Sequence, residues 1–209
     1  AAAPRAERRE RRRGIGLGAR RDVCQDAKAV GTVDAVSGGR FLFGIGAGWN
    51  FDEMANHGVD PKTRMKLMRE KTEAMRVIWT EDTAEFSGDL VSFGPMQTWP
   101  KPAAPPPVYV GGAYPYGARR ALRYGDAWLP HARRPDYHIL EKMPEFRAME
   151  AEAGRTVPVT VFGGEPDPAM LEKYAAAGID RVVVNLDPMD RDSSLKQLDE
   201  WVAAGVLGS

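Results

Sequence analysis

Short apolar runs alternate along the chain with longer stretches in which apolar residues recur every three or four positions. The runs cover residues 41–46, 107–112, 126–130, 157–162 and 181–186. Nearly every position in them is apolar, a pattern typical of parallel strands that helices cover on both faces. The alternation predicts five βαβ-type units and an α/β fold, and a weak strand over 14–18 leading into a helix over 22–36 would add a sixth.

The longest gap between two of these runs is predicted to hold a helix and a hairpin. Asp60 followed by Pro61 is typical of a helix N-terminus. One apolar face then recurs at helical spacing, and it consists of Met65, Met68, Thr72, Met75 and Trp79. Residues 85–93 alternate around Ser87-Gly88-Asp89, which predicts a small hairpin. The prolines between residues 100 and 107 predict an extended crossing back to the sheet.

Two further helices are predicted near the C-terminus. Asp167 and Pro168 begin the first, which ends at Gly178. Ser194 and Gln197 have the spacing of a capping box at the start of the second, and Gly205 marks its end. In that helix we expect a buried stripe of Leu195, Leu198 and Val202.

Glycines follow two of the predicted strands at their carboxyl ends. Residues 44–50 read GIGAGWN, and Gly111-Gly112-Ala113 precede a helix that is expected to start near Tyr116. Ligands of α/β proteins bind at the carboxyl ends of parallel strands, and a helix N-terminus offers N–H groups to a phosphate. The residues alone therefore predict an α/β domain with a ligand site at one or both strand ends.

Charge is distributed unevenly along the 209 residues, although the formal net charge is zero. Residues 1–21 hold eight arginines and two glutamates, so they carry +6 and the remainder carries −6. A basic arm of this kind can bind nucleic acid, but no aromatic residue lies among the arginines to stack on bases. We interpret residues 1–21 as a solvated, disordered tail without a nucleic-acid partner, and residues 22–209 as the folded domain.

Several classes of protein are disfavoured by the residues that the chain has. No stretch reaches the roughly 20 apolar residues of a transmembrane helix, and no apolar run follows the basic start as in a signal peptide. Cys24 is the single cysteine, and the three histidines have no metal-binding spacing. We therefore expect no membrane partner, no metal site and a cytoplasmic location.

An ordered set of motifs between residues 27 and 130 resembles the luciferase-like flavin and deazaflavin oxidoreductases. The matching segments are AK at 27–28, TVDAVSGGRF at 32–41, GIGAGWN at 44–50 with Glu53 and Gly58, Arg64 with Glu70 and Trp79, PVYVGG at 107–112, RRA at 119–121 and GDAWLP at 125–130. The later GIDRVVV at 178–184 also fits. As a combined pattern this set is highly specific, and it is most similar to members that depend on coenzyme F420.

The resemblance implies a fold, a cofactor and a set of binding residues. The fold would be a TIM-type (β/α)8 barrel, with the cofactor at the carboxyl ends of the strands. Gly111, Gly112 and Ala113 would lie against the cofactor phosphate, and Gly46 and Asn50 near its ring system. The cofactor would be coenzyme F420 as first choice or FMN, used for hydride transfer or monooxygenation of a small organic substrate.

One departure from the family's pattern concerns the first strands. Phe41 would begin the fourth strand of the family's barrel, and residues 1–26 are too few for the first three. We therefore expect a partial barrel of five or six βα units, and the resemblance assigns no catalytic residue. The alternative to an oxidoreductase is a non-catalytic remnant that acts as a structural or oligomeric interaction module, and a homodimer is left open.

Overall fold

The computed structural model describes residues 12–17, through their backbone, and residues 22–207. The chain forms two compact units that divide between Tyr109 and Val110. The expected tail falls largely on residues outside the described ranges, although Arg12–Leu17 is a strand and corresponds to the weak strand expected over 14–18.

Helices and strands alternate through both units. The strands are β1 (Arg12–Leu17), β2 (Leu42–Gly46), β3 (Ala84–Ser87), β4 (Ser92–Met96), β5 (Val108–Gly111), β6 (Ala127–Leu129), β7 (Arg133–Arg134), β8 (Tyr137–His138), β9 (Thr160–Gly164) and β10 (Arg181–Val184). The helices are α1 (Val23–Ser37), α2 (Phe51–Asn56), α3 (Arg64–Thr80), α4 (Tyr116–Tyr124), α5 (Ile139–Ala153), α6 (Pro168–Ala176) and α7 (Arg191–Ala203).

In the first unit, β1 pairs with β2 in parallel. The N–H of Phe43 in β2 donates to the carbonyl of Pro107, where the chain enters β5, at 3.0 Å. The long helix α3 packs on this sheet through Trp79, whose ring meets Phe43 edge-on at 6.2 Å. Trp79 Nε1 also donates to the carbonyl of Ala27 in α1 at 3.0 Å, which ties the two helices together.

A buried carboxylate attaches the β3–β4 hairpin to α3. Glu70 is 3% exposed, and its Oε2 accepts hydrogen bonds from the N–H groups of Leu90 (2.7 Å) and Val91 (3.1 Å). An added Cβ at Gly88 would lie 2.6 Å from the same oxygen. The hairpin turn is therefore shaped around the Glu70 side chain, which satisfies backbone donors that the turn itself leaves unpaired.

In the second unit the parallel strands follow one another in chain order. β6 lies beside β5, Trp128 of β6 forms a parallel bridge to Val159, and β9 pairs in parallel with β10. Trp128 is fully buried and its ring lies 4.7 Å from that of Phe146 in α5. One face of this sheet is therefore covered by the helices.

The fold class is α/β, with the strand order of part of a TIM-type barrel. Six parallel strands, β1, β2, β5, β6, β9 and β10, each precede a helix in the described part of the chain. The sequence predicts five or six βα units, and the structure has six among the described residues. No helix among the described residues is long and apolar enough to cross a membrane.

Two helix starts differ from the sequence predictions. Asp60 caps a turn, accepting from Lys62 N at 2.8 Å, and α3 begins later, after Thr63, without a side-chain cap. α7 begins after Asp190, whose carboxylate caps Asp192 and Ser193, so the predicted Ser194 capping box is wrong. In α7 a carboxylate earlier in the chain binds the first free N–H groups, whereas Asp60 bonds to a turn that precedes α3.

The predicted stripe on α3 is confirmed, whereas the one on α7 is wrong. Met68, Thr72, Met75 and Trp79 are buried. No residue of α7 is buried, and Leu195 and Val202 are 46% and 50% exposed. Helical periodicity marks the face that can be buried, but burial itself requires a partner surface, and α7 has little of one within the described residues.

Substituting Glu70 by alanine tests the attachment of the hairpin. Because two N–H groups would lose their buried acceptor, we expect Glu70→Ala to lower the free energy of unfolding by about 2–3 kcal/mol in urea titrations. Glu73→Ala on the same helix is the matched control. Its exposed pair with Arg69 should be worth no more than about 0.5 kcal/mol. Equal losses in the two variants would contradict the role of Glu70.

Candidate functional site

The turn between β5 and α4 is the most constrained backbone of the second unit. Gly112 follows β5 with φ +139°, a conformation that side-chain-bearing residues rarely adopt. An added Cβ at Gly112 would lie 3.3 Å from Gly117 Cα, and one at Gly117 would overlap the carbonyl oxygen of Gly112. Two glycines therefore allow the strand end and the first turn of α4 to approach each other closely.

Two aromatic side chains fix the peptide groups of this turn. Trp128 Nε1 donates to the carbonyl of Gly112 at 3.0 Å, and the Tyr137 hydroxyl accepts from the N–H of Tyr114 at 2.9 Å. The carbonyl of Ala113 accepts from Gly117 N at 2.6 Å, one helical turn further on. Since Trp128 is fully buried and Tyr137 is 8% exposed, the turn is held from the protein side.

The N-terminus of α4 differs from those of the other helices described in the second unit. Its N-cap is Pro115, which makes no side-chain hydrogen bond to the helix. α5, α6 and α7 are capped by the side chains of His138, Asp167 and Asp190. A helix end without a side-chain cap keeps N–H groups and a partial positive charge that an anion can satisfy.

The structure places the predicted binding residues in two groups. Gly111, Gly112 and Ala113 lie together in the β5–α4 turn, where Gly111 is the last residue of β5. Gly46 ends β2 in the first unit, and Asn50 follows it as the N-cap of α2, accepting from Glu53 N at 3.2 Å. Gly48, between them, has φ +81°. Each group thus lies at the carboxyl end of a parallel strand, as the sequence predicts.

A histidine and a phenylalanine lie at the carboxyl ends of the next strands of the second unit. His131 follows β6 and forms a parallel bridge with Phe162 of β9, with the two rings edge to face at 5.2 Å. Side chains alternate along a strand, so His131 lies on the face opposite Trp128 and the α5 helix. This exposed imidazole is therefore available at the edge where strand ends bind ligands.

A cluster of polar side chains, missed by the sequence analysis, joins the β7–β8 hairpin to the end of β9. Glu165 accepts the hydroxyl hydrogen of Tyr174, and its Oε1 lies 3.5 Å from both His138 Nε2 and Arg133 Nη2. His138 Nδ1 accepts from Leu140 N, which leaves Nε2 facing this cluster. The residues of this cluster are distant in sequence, and no local motif predicts that they meet.

The ionisation states of this cluster follow from burial and pairing. Partial burial acts to raise the pKa of Glu165, but the hydrogen bond from Tyr174 and the nearby His138 and Arg133 outweigh it, and the pKa is lowered. Burial and the same hydrogen bond raise the pKa of Tyr174. Glu165 is therefore an anion and Tyr174 a neutral donor at neutral pH, an arrangement that fixes the hairpin and does not supply an acid or base.

The described residues contain no group of three or more His, Cys, Asp or Glu side chains that could hold a metal ion.

Comparison with known families identifies the class of protein. The model of the luciferase-like monooxygenase family matches residues 2–204, and the chain belongs to this family. The family-level activity is that of an oxidoreductase.

Similar sequences include characterised and uncharacterised proteins. An uncharacterised protein of Mycobacterium tuberculosis is 33% identical over 196 residues, which are 90% of this chain and 68% of that protein. The F420-dependent glucose-6-phosphate dehydrogenase of Intrasporangium calvum is 36% identical over 108 residues, 49% of this chain and 32% of the enzyme. The F420-dependent hydroxymycolic acid dehydrogenase of M. tuberculosis is 28% identical over 131 residues, 62% of this chain and 36% of that protein.

Solved structures share the fold at lower sequence identity. An F420-dependent secondary alcohol dehydrogenase in complex with an F420-acetone adduct has a TM-score of 0.70 and 19% identity, over 88% of this chain and 76% of the other. A type II Baeyer-Villiger monooxygenase of Pseudomonas putida in complex with FMN has a TM-score of 0.59 and 19% identity, over 72% and 46%. These likenesses confirm the predicted fold class.

Substituting Gly117 by alanine tests the close approach in the β5–α4 turn. Helix propensity alone would make Gly117→Ala stabilising by about 1 kcal/mol. Because the new methyl would overlap Gly112 O, we expect the reverse, a loss of about 2 kcal/mol or more in the free energy of unfolding. Gly94→Ala, where an added Cβ meets nothing within 4 Å, should be nearly neutral. A stabilised Gly117→Ala variant would contradict the described geometry.

Proposed function

We propose that this chain is an oxidoreductase of the luciferase-like family that binds coenzyme F420, or else FMN, and acts on a small organic substrate. The observation that carries the proposal is the β5–α4 turn, in which Gly112 packs closely against Gly117 in the first turn of a helix without a side-chain cap. A phosphate group is the part of either cofactor that such a turn would bind.

The residues of the turn fit a phosphate in shape and charge. The Arg120 guanidinium lies where a side chain at Gly112 would be, with Nη2 2.6 Å from the position of an added Cβ, and it brings positive charge to the turn. The free N–H groups at the start of α4 provide the positive end of the helix dipole. Gly111, Gly112 and Ala113 would form the phosphate-binding part of the site.

Coenzyme F420 is the preferred cofactor because the sequence relatives favour it. The curated enzymes that match at 28–36% identity have names that state F420 dependence, whereas FMN occurs in a structure at 19% identity. When bound, either cofactor supplies the hydride or electron chemistry, and the protein positions it.

Gly46 and Asn50 would lie near the cofactor ring. Asn50 Oδ1 already caps α2 by accepting from Glu53 N. Its Nδ2 is therefore the atom that could donate a hydrogen bond to a ring carbonyl. Gly46, the last residue of β2, would let a flat ring approach the strand end closely.

Titration of the purified chain with each cofactor tests the proposal. We expect quenching of F420 fluorescence with saturable binding, and weaker or comparable binding of FMN. If neither cofactor shows quenching or a spectral shift, the chain is not an oxidoreductase of this kind.

Asn50→Asp separates the cap from the proposed contact to the ring. Aspartate caps a helix as well as asparagine does, so the free energy of unfolding should be unchanged. The donor is lost, however, and we expect the dissociation constant of the cofactor to rise about tenfold. Asn50→Ala is the comparison variant, and it should lose both affinity and about 1 kcal/mol of stability. Unchanged affinity in Asn50→Asp would remove Asn50 from the site.

One observation favours a second candidate, a non-catalytic interaction module. The exposed apolar residues Leu195 and Val202 of α7, and a β10 with no fully buried residue, are typical of a surface that another protein covers. Absence of cofactor binding together with a stable oligomer in light scattering would favour this function.

A further inference from the structure

We infer that copies of this chain associate through two different surfaces of the second unit. One surface is the exposed face of α7, and the other is a cleft between α4 and α5. The partner that each surface takes is a second copy of this chain, because the two surfaces complement each other in charge and apolar character. The inference goes beyond the proposed function and does not depend on cofactor binding.

The exposed face of α7 combines apolar side chains with a carboxylate. Leu195 and Val202 are 46% and 50% exposed. Asp199 lies four residues after Leu195 and three before Val202, so the three side chains share one face of the helix. The carboxylate of Asp199 is exposed and has no ion pair among the described residues, whereas Lys196 lies 3.9 Å from Glu200. The face therefore presents a negative charge between two apolar side chains.

The cleft between α4 and α5 has the opposite charge. Its volume is about 470 Å³, and its lining consists of Arg119, Leu122 and Arg123 from α4 and Met149, Glu152 and Ala153 from α5. Leu122 and Met149 are half-buried and form an apolar floor, while the charged side chains are exposed. Two arginines against one glutamate leave the cleft with a net positive charge.

The two arginines of the cleft repel each other. Arg119 and Arg123 are one helical turn apart, and like charges at this spacing destabilise a helix. Arg119 lies over the ring of Tyr116 at 5.9 Å, and Arg123 has no ion pair among the described residues. Glu152, across the cleft, pairs with neither of them in the described part of the chain. A carboxylate supplied by another molecule would remove this repulsion.

The face of α7 supplies what the cleft lacks. A helix laid between two others packs its side chains into the groove that they form. Asp199 of one copy would meet Arg123 of the next, a pairing of opposite charges that fixes the register of the contact. Leu195 and Val202, on either side of Asp199, would cover the apolar floor of the cleft and leave water.

Every copy carries both surfaces, and this determines how copies assemble. Each copy can place its α7 against one neighbour and offer its cleft to another. Such a heterologous contact builds a closed ring or an open chain of copies. One helix in one groove is a small interface, so we expect reversible association that increases with protein concentration.

Sedimentation velocity of the unaltered chain over a wide range of concentrations is the first test. We expect the mean mass to rise with concentration and to return to that of the monomer on dilution. A chain that stays monomeric at every concentration overturns the inference.

Charge reversal identifies the two surfaces. Asp199→Arg and Arg123→Glu each place like charges at the contact, and we expect either to raise the dissociation constant of association about tenfold or more. Glu200→Arg and Arg134→Glu are the matched controls, since they make the same changes of charge at exposed positions outside the two surfaces. Association should be unchanged in both controls. Equal weakening in a control and its counterpart would contradict the assignment of that surface.

Mixing the two variants separates a lost contact from a damaged fold. The Asp199→Arg copy keeps an intact cleft and the Arg123→Glu copy keeps an intact α7, so an equimolar mixture should associate at a concentration where each variant alone is monomeric. A chain that carries both changes should associate as well, because the charges are exchanged. A mixture that stays monomeric overturns the inference, and so does association of either variant as strong as that of the unaltered chain.

The outcome is separable from that of the cofactor titration. Asp199 and Arg123 lie outside the β5–α4 turn, and Arg123 is in the last turn of α4. Both variants should therefore bind F420 or FMN as the unaltered chain does. Failure of self-association leaves the proposed function in place, and failure of cofactor binding leaves the assembly of copies in place.

Discussion

Parallel pairing of successive strands is the constraint on which the rest of the structure depends. A parallel strand can follow its neighbour only after a crossover, so a helix comes between β5 and β6 and another between β6 and β9. The crossovers bring the parallel strands of a unit into the sheet in the same direction, and their carboxyl ends lie at one edge. The glycine turn, His131 and Glu165 share that edge for this reason, although Gly112 and Glu165 are 53 positions apart in the chain.

The β5–α4 turn shows how a helix end can be kept free for a ligand. A side-chain cap is worth about 1 kcal/mol to a helix, and α5, α6 and α7 each have one. α4 has no side-chain cap, because Pro115 at its N-cap position has neither a side-chain oxygen nor a backbone N–H. The turn is stabilised instead by Trp128 and Tyr137, whose side chains bond to its backbone.

Local patterns predicted those parts of the molecule that local forces determine. The valine-rich runs became β5, β9 and β10 because continuous apolar and β-branched character suits a parallel strand, although β10 has no fully buried residue. The glycines after β5 indicated a tight turn, and Gly112 there has φ +139°, a conformation that favours glycine. The start of α3 was missed since Asp60 bonds to a turn first, and the stripe on α7 was misjudged because burial depends on a partner surface that periodicity does not reveal.

Trp128 and Tyr137, which anchor the turn, could not be predicted from local patterns. They lie 16 and 23 residues after the backbone groups that they bind. Trp128 lies in the GDAWLP segment at 125–130, but that motif does not reveal its bond to Gly112. Nothing in the sequence of the β7–β8 hairpin marks Tyr137 as different from an ordinary buried aromatic residue. Yet the Gly112 carbonyl bonds to Trp128 and the Tyr114 N–H bonds to Tyr137, so the glycines alone do not fix the turn. Two chains with identical glycine turns can therefore differ in the geometry of that turn through residues on a later strand and hairpin.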